Sequence, residues 1–288
     1  MRIVLALDGS GESHNAASFL ARLPLPESSQ LTVVTAIVDT PMDDVDAEVW
    51  MKIREASRAT ALQNYLAVVP KLGALAANSE HLLQDGHPSR VIVDAAKERN
   101  ADLIVLGARG HSLVSRVLLG STSNYVANHA RCPVLVVRPP ATERAAGPLR
   151  VVLAYDGSAG SKLAAQQMFA FKWSAETHVQ ITTLLERPHL LAEDEIYDPQ
   201  AIADCEKRQA ELVAEAGCSA NVGYSVRETT HVGDTLAHLA HEEKGDLIFV
   251  GETGRSALAK FFLGSAATHI LHHSTSSVWI AREKHWSS

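Results

Sequence analysis

Several things are scarce in this chain. Aromatic residues make up 5% of its 288 positions, and the three cysteines, Cys132, Cys205 and Cys218, are an odd number without C-x-x-C spacing. That pattern excludes a disulfide framework and a zinc knuckle, and it reads as three reduced, structural thiols. No apolar run approaches the roughly 18 residues of a membrane span, and the opening run Ile3 to Leu7 is too short for a signal-peptide core. A cytoplasmic protein without membrane attachment is expected. Basic charge is also scarce: 26 Lys and Arg stand against 33 Asp and Glu, for a net charge of −7. Such a balance gives no general hold on a polyanion, so nucleic acid is not an expected partner. Three fingerprints are missing as well, namely G-x-x-x-x-G-K-[ST], a strand-linked G-x-G-x-x-G and G-x-S-x-G. Their absence argues against a P-loop enzyme, a dinucleotide-binding domain and an α/β-hydrolase.

What is present is written twice. Hydrophobic residues make up 46% of the chain, enough for the roughly two domains that its length suggests. Gly107 to Ser121 reads GARGHSLVSRVLLGS and Gly251 to Ser265 reads GETGRSALAKFFLGS, displaced by 251 − 107 = 144 residues. Six of the fifteen positions are identical, and they include the whole of a G-x2-G-x9-G-S pattern. A second anchor repeats too: IVLALDGS ends at Ser10 and VVLAYDGS at Ser158, a displacement of 158 − 10 = 148. Units of this size are tandem domains rather than solenoid repeats. The expected boundaries are 1–138 and 150–288, joined by the proline-, alanine- and glycine-rich stretch 139–149.

Within the first copy, apolar β-rich runs recur at Ile3 to Leu7, Thr32 to Val38, Leu103 to Leu106 and Val134 to Val137, with a weaker one at His81 to Gln84. The second copy has Val151 to Tyr155, Val179 to Leu185, a weak run near Val226 to Thr230, Leu247 to Val250 and Ser277 to Ala281. Long helices are expected over Asp46 to Val69 and Pro199 to Ala216. Near-continuous apolar strands alternating with helices predict an α/β fold: two tandem Rossmann-like domains, each a five-stranded parallel sheet with helices on both faces.

The glycine pattern falls between a strand and a helix, where open α/β sheets bind ligands. Gly107 and Gly110 are expected to use positive φ and to let a ligand approach the backbone. Gly120 and Ser121 are expected to start a helix, with the serine as N-cap. Two converging turns of this kind make a nest of N–H donors suited to phosphates. Asp8 and Asp156, each before Gly-Ser, suit either turn capping or ligand contact. His111 and Arg255, and likewise Arg116 and Lys260, suit either phosphate screening or plain solvation. His238/His241, His269/His272 and His273 have helical spacing, but no third ligand points to them, so no metal site and no catalytic residue is assigned.

The strand ending in Asp8-Gly9-Ser10, the G-x2-G-x9-G-[ST] pattern and a last strand PVLVV together resemble the universal stress protein family. The likeness runs through the chain twice, as in tandem members with two fused domains. It implies an ATP-binding protein of stress adaptation in which nucleotide occupancy biases conformation or partner binding, with little or no hydrolysis. Phosphate and ribose contacts would fall on Gly107, Gly110, Gly120, Ser121 and Thr122, and the adenine side on Asp8 and Ile37. In the second half the corresponding positions are Gly251, Gly254, Gly264, Ser265, Ala266, Asp156 and Leu184. A Mg²⁺ or Mn²⁺ ion would arrive with the nucleotide. The resemblance further implies an internal pseudo-dimer through Pro133 to Val137 and Ser277 to Ala281, leaving room for a homodimer and for a protein partner without a name. Two alternatives stay open: a slow ATPase or nucleotide-transferring enzyme with His111 as base, and an interaction module that binds no nucleotide.

Overall fold

The computed structural model describes residues 1–38, 46–110, 119–139, 147–187, 199–253 and 263–286. They form two compact units, one of residues 1–138 with the segment from Lys284 onward, the other of residues 139–283. Among the described residues no helix is long and apolar enough to cross a membrane.

The first unit runs β1 (Arg2–Ala6), α1 (Gly11–Leu20), β2 (Gln30–Ile37), α2 (Ala47–Val68), a 3₁₀ segment (Val69–Asn78), β3 (Ser79–Asp85), α3 (Pro88–Glu98), β4 (Leu103–Gly107), α4 (Ser121–His129) and β5 (Val134–Val137). Its strands lie in the order β3-β2-β1-β4-β5, and every pair is parallel. β4 and β5 are buried at every position, as strands covered on both faces must be, which is why LIVL and VLVV carry no polar alternation. Ser10 caps α1, its Oγ accepting the Ser13 N–H at 3.2 Å. Pro88 opens α3 at a position where a missing N–H costs nothing. Lys284 Nζ lies 2.5 Å from Asp102 Oδ1 and the Trp286 indole donates to the Ala101 carbonyl at 2.8 Å, so the C-terminal segment belongs to this unit by its contacts.

The second unit repeats the plan with β6 (Arg150–Ala154), α5 (Ala159–Phe169), β7 (His178–Glu186), α6 (Pro199–Ala216), β8 (Asn221–Thr229), α7 (Val232–Glu242), β9 (Leu247–Gly251), α8 (Ser265–His273) and β10 (Ser277–Ala281). Its strands lie in the order β10-β9-β6-β7-β8, again all parallel. The cores differ in kind. Where the first unit packs Leu135 and Val105, 144 residues earlier, the second stacks Trp279 on Phe249 at 5.1 Å with Phe171 edge-on to Trp279 at 5.4 Å. The indole N–H of buried Trp279 is satisfied by Gln167 Oε1 at 2.8 Å. One fold is thus filled by two different volume solutions.

In each unit the strand order reverses beside the first strand: between β1 and β4 in one, between β6 and β9 in the other. These are the switch points where the connections on either side diverge and leave a crevice at the carboxyl ends of the strands.

Candidate functional site

Each crevice begins with the same tight turn. Gly9 and Gly157 take φ of 81° and 77°, the left-handed region that glycine enters without a Cβ penalty. Asp8 Oδ1 then accepts from the Ser10 N–H at 2.9 Å and from its hydroxyl at 2.6 Å, and Asp156 Oδ1 accepts from the Ser158 N–H at 2.9 Å. Both aspartates cap their turns with one oxygen.

The glycine pattern is needed for close approach rather than for φ, which corrects the expectation at Gly107 and Gly110. Neither has positive φ. A Cβ on Gly107 would stand 2.9 Å from the backbone carbon of Glu12, and one on Gly251 would stand 2.4 Å from that of Gly160. These two glycines let the first helix of each unit lie against the end of the central strand. Gly110 serves the crevice itself, since its Cβ would be 2.5 Å from Asp8 Oδ2.

The second turn docks on the first. The Gly120 N–H donates to the Ala108 carbonyl at 2.8 Å, and the Gly264 N–H to that of Glu252 at 2.8 Å. The N-cap residues of α4 and α8 are Gly120 and Gly264, so Ser121 and Ser265 are the first helical residues rather than the caps. A glycine cap offers no side-chain acceptor, and neither helix has a side-chain cap bond. The N–H groups of the first turn therefore lack an intrahelical partner and face the crevice as donors. Thr122 and Ala266 follow at the second helical position, half-buried, while Ser123 donates its hydroxyl back to the Gly107 carbonyl at 2.8 Å.

In the second unit this geometry opens into a cavity of about 740 Å³. Asp156, Leu184, Gly251, Gly264, Ser265 and Ala266 all line it. Gly254 lies outside the described residues, as do His111, Arg116, Arg255 and Lys260. Strand register refines one correspondence. Ala6 pairs with Val34 and Ala154 with Thr182, so Leu184 is the counterpart of Ala36, and Ile37 that of Leu185. A shift of one residue turns a side chain to the other face of the sheet, and Ile37 is buried where Leu184 is half-buried.

The two crevices differ in charge. In the first, Arg109 lies 3.1 Å from Glu12 Oε1, with both side chains largely buried. Burial raises the Glu12 pKa, an effect opposed by Arg109 and Arg138. Burial also depresses the Arg138 guanidinium, with help from neighbouring Arg109, to about 10. The positions matching Glu12 and Arg109 in the second unit are Gly160 and Thr253, which carry no charge, and Thr253 lines the cavity.

The cavity wall also contains residues that the glycine pattern does not reveal. His231 caps α7 by accepting the Asp234 N–H on Nδ1 at 3.1 Å, and His269 projects from α8 onto the same wall. The usable signal is the repeat of His87-Pro88-Ser89 as His231-Val232-Gly233, again displaced by 231 − 87 = 144.

A sequence model of the universal stress protein family matches residues 1–138 and again 149–282. The chain belongs to that family. It carries two family domains in tandem, each with one of the paired Asp-Gly-Ser turns and one of the glycine patterns. A universal stress protein of Mycolicibacterium smegmatis is 27% identical over 98% of this chain and 97% of its own. One from Methanocaldococcus jannaschii is 32% identical over 49% of this chain and 84% of its own, the length of a single domain. Among solved structures, a universal stress protein from Archaeoglobus fulgidus superposes with a TM-score of 0.72 at 19% identity, covering 98% of each chain. That likeness concerns the fold.

Proposed function

We propose that this universal stress protein binds ATP in the second-unit cavity and acts as a nucleotide-dependent regulator with little or no hydrolysis. One observation carries the reading. The uncapped N-terminus of α8 opens on a cavity at the switch point of the sheet, which combines unpaired N–H donors, a favourable dipole and room for a ligand of metabolite size. Phosphates fit against Gly251, Gly264, Ser265 and Ala266, and the adenine side lies towards Leu184 and Asp156. The first unit would offer Asp8, Ile37, Gly107, Gly110, Gly120, Ser121 and Thr122. Mg²⁺ or Mn²⁺ would enter with the nucleotide, held mainly by phosphate oxygens. What ATP supplies is charge and binding energy. The residues of this chain hold it and register its presence.

The test is ligand-linked stability. ATP at about 100 times its dissociation constant should stabilise the folded protein by about 2.7 kcal/mol, and mass spectrometry of small molecules released from the purified protein should find an adenine nucleotide. A melting temperature indifferent to ATP would end this reading.

A further inference from the structure

We propose that His231, Asp234 and His269 form a binding site for a zinc-type divalent transition-metal ion at the edge of the second-unit cavity. One ligand atom from each of the three lies within 4.8 Å of the other two. His269 Nε2 stands 2.5 Å from Asp234 Oδ1, and His231 Nδ1 stands 3.1 Å from Asp234 Oδ2. The carboxylate thus presents a different oxygen to each imidazole.

Neither approach is a hydrogen bond. His269 Nε2 is buried from solvent and has no hydrogen-bond partner despite its nearness to the carboxylate. His231 Nδ1 accepts the Asp234 N–H at 3.1 Å, so it carries a lone pair rather than a proton towards this side, and coordination would exchange that cap bond for the metal. An imidazole nitrogen held this close to a carboxylate oxygen calls for a positive charge between them, which a shared metal ion supplies to both. Two imidazoles and a carboxylate are the ligand types that zinc and its neighbours in the first transition row prefer. Around a tetrahedral ion with bonds near 2.1 Å, ligand atoms lie about 3.4 Å apart, close to the 3.1 Å of His231 and Asp234, while His269 Nε2 at 2.5 Å from Oδ1 would draw back to admit the ion.

The packing between helices is arranged for this approach. A Cβ on Gly233 would lie 2.6 Å from the Cβ of His269, so only glycine at that position lets α8 bring its histidine up to Asp234. His273 stacks on the His269 ring at 4.3 Å and restrains its plane. The first unit lacks the set, since the positions 144 residues earlier are His87, Arg90 and Tyr125. Both histidines line the cavity, so a coordination position left open adjoins it, and water or an anionic ligand there would complete the shell. The site depends on its three side chains and not on ATP.

Co²⁺ alone, added to untagged full-length protein without nucleotide, tests the proposal. One equivalent should bind with visible absorption bands of low-symmetry nitrogen and oxygen coordination, and Zn²⁺ should displace it. Asp234→Ala and His269→Ala should each weaken binding by more than the roughly 10- to 100-fold that loss of an outer partner costs, with the melting temperature of the metal-free protein little changed. His238→Ala/His241→Ala, on another part of α7, should bind as the parent does. Absence of a bound equivalent, or affinities equal across parent, Asp234→Ala and His269→Ala, would overturn the site and leave His231 and Asp234 as a helix cap alone.

Discussion

Gly110 stands where a Cβ would come within 2.5 Å of Asp8 Oδ2, so the second glycine of the pattern and the aspartate of the first turn fit together as one unit. Asp8 cannot simply move aside, because its other oxygen is held by the backbone N–H and the hydroxyl of Ser10. Gly110→Ala should therefore cost about 1–3 kcal/mol, the usual penalty of overpacking. In the double variant Asp8→Ala/Gly110→Ala the two costs should fall short of additivity by about 0.5–3 kcal/mol. Urea denaturation of the four proteins measures the coupling, and strict additivity would show that the two residues do not meet.

Gly251 fits more tightly, and against backbone. Its Cβ would lie 2.4 Å from the backbone carbon of Gly160, and neither strand nor helix can yield as a side chain does. Gly251→Ala should destabilise by more than Gly110→Ala, at or above the upper end of the range of about 1–3 kcal/mol for overpacking. Differential scanning calorimetry of the two variants ranks them, and an innocuous Gly251→Ala would contradict the close approach of α5 to β9.

Ser265 separates binding from folding. It is the exposed first residue of α8, where an acidic side chain favours the helix dipole by about 0.3–1 kcal/mol. Ser265→Asp should hold or raise the melting temperature of the free protein while abolishing most of the stabilisation by ATP, because its carboxylate meets the phosphates. Ser121→Asp asks the same of the first unit. If Ser265→Asp retains the full ATP shift, the phosphates do not lie at α8.

Much of this was legible in the sequence because it is carried by short-range signals. Nearly all strands announced themselves as apolar runs, since strands covered on both faces have little room for polar side chains. The turn residues Asp8-Gly9-Ser10 reported their own geometry. Other features depend on distances that no local pattern encodes. Gly107 reads locally as a left-handed turn glycine, yet it and Gly251 are set by helices α1 and α5, which come from remote parts of the chain. Matching Ile37 with Leu184 was one residue out of step, and only the pairing of Ala154 with Thr182 fixes that. His269 looked like a surface histidine until the fold brought Asp234 from α7 to within 2.5 Å of it.

His81 gives the first unit a pH dependence whose sign is set by burial. Its imidazole is held below the ordinary value by desolvation, stacked on Tyr65 at 4.6 Å with Nε2 3.0 Å from Thr35 Oγ1. The unfolded chain takes up a proton near pH 6.5, while the folded protein resists it until a lower pH. Between those two values the unfolded state binds more protons, so stability must fall as pH drops below about 6.5 and level off once the folded state is also protonated. His81→Phe keeps an aromatic ring against Tyr65 and removes the titration. Urea midpoints at pH 7.5 and pH 5.5 should therefore fall further for the parent than for His81→Phe. Equal losses would show that other groups, and not the half-buried imidazole, set the acid sensitivity of this unit.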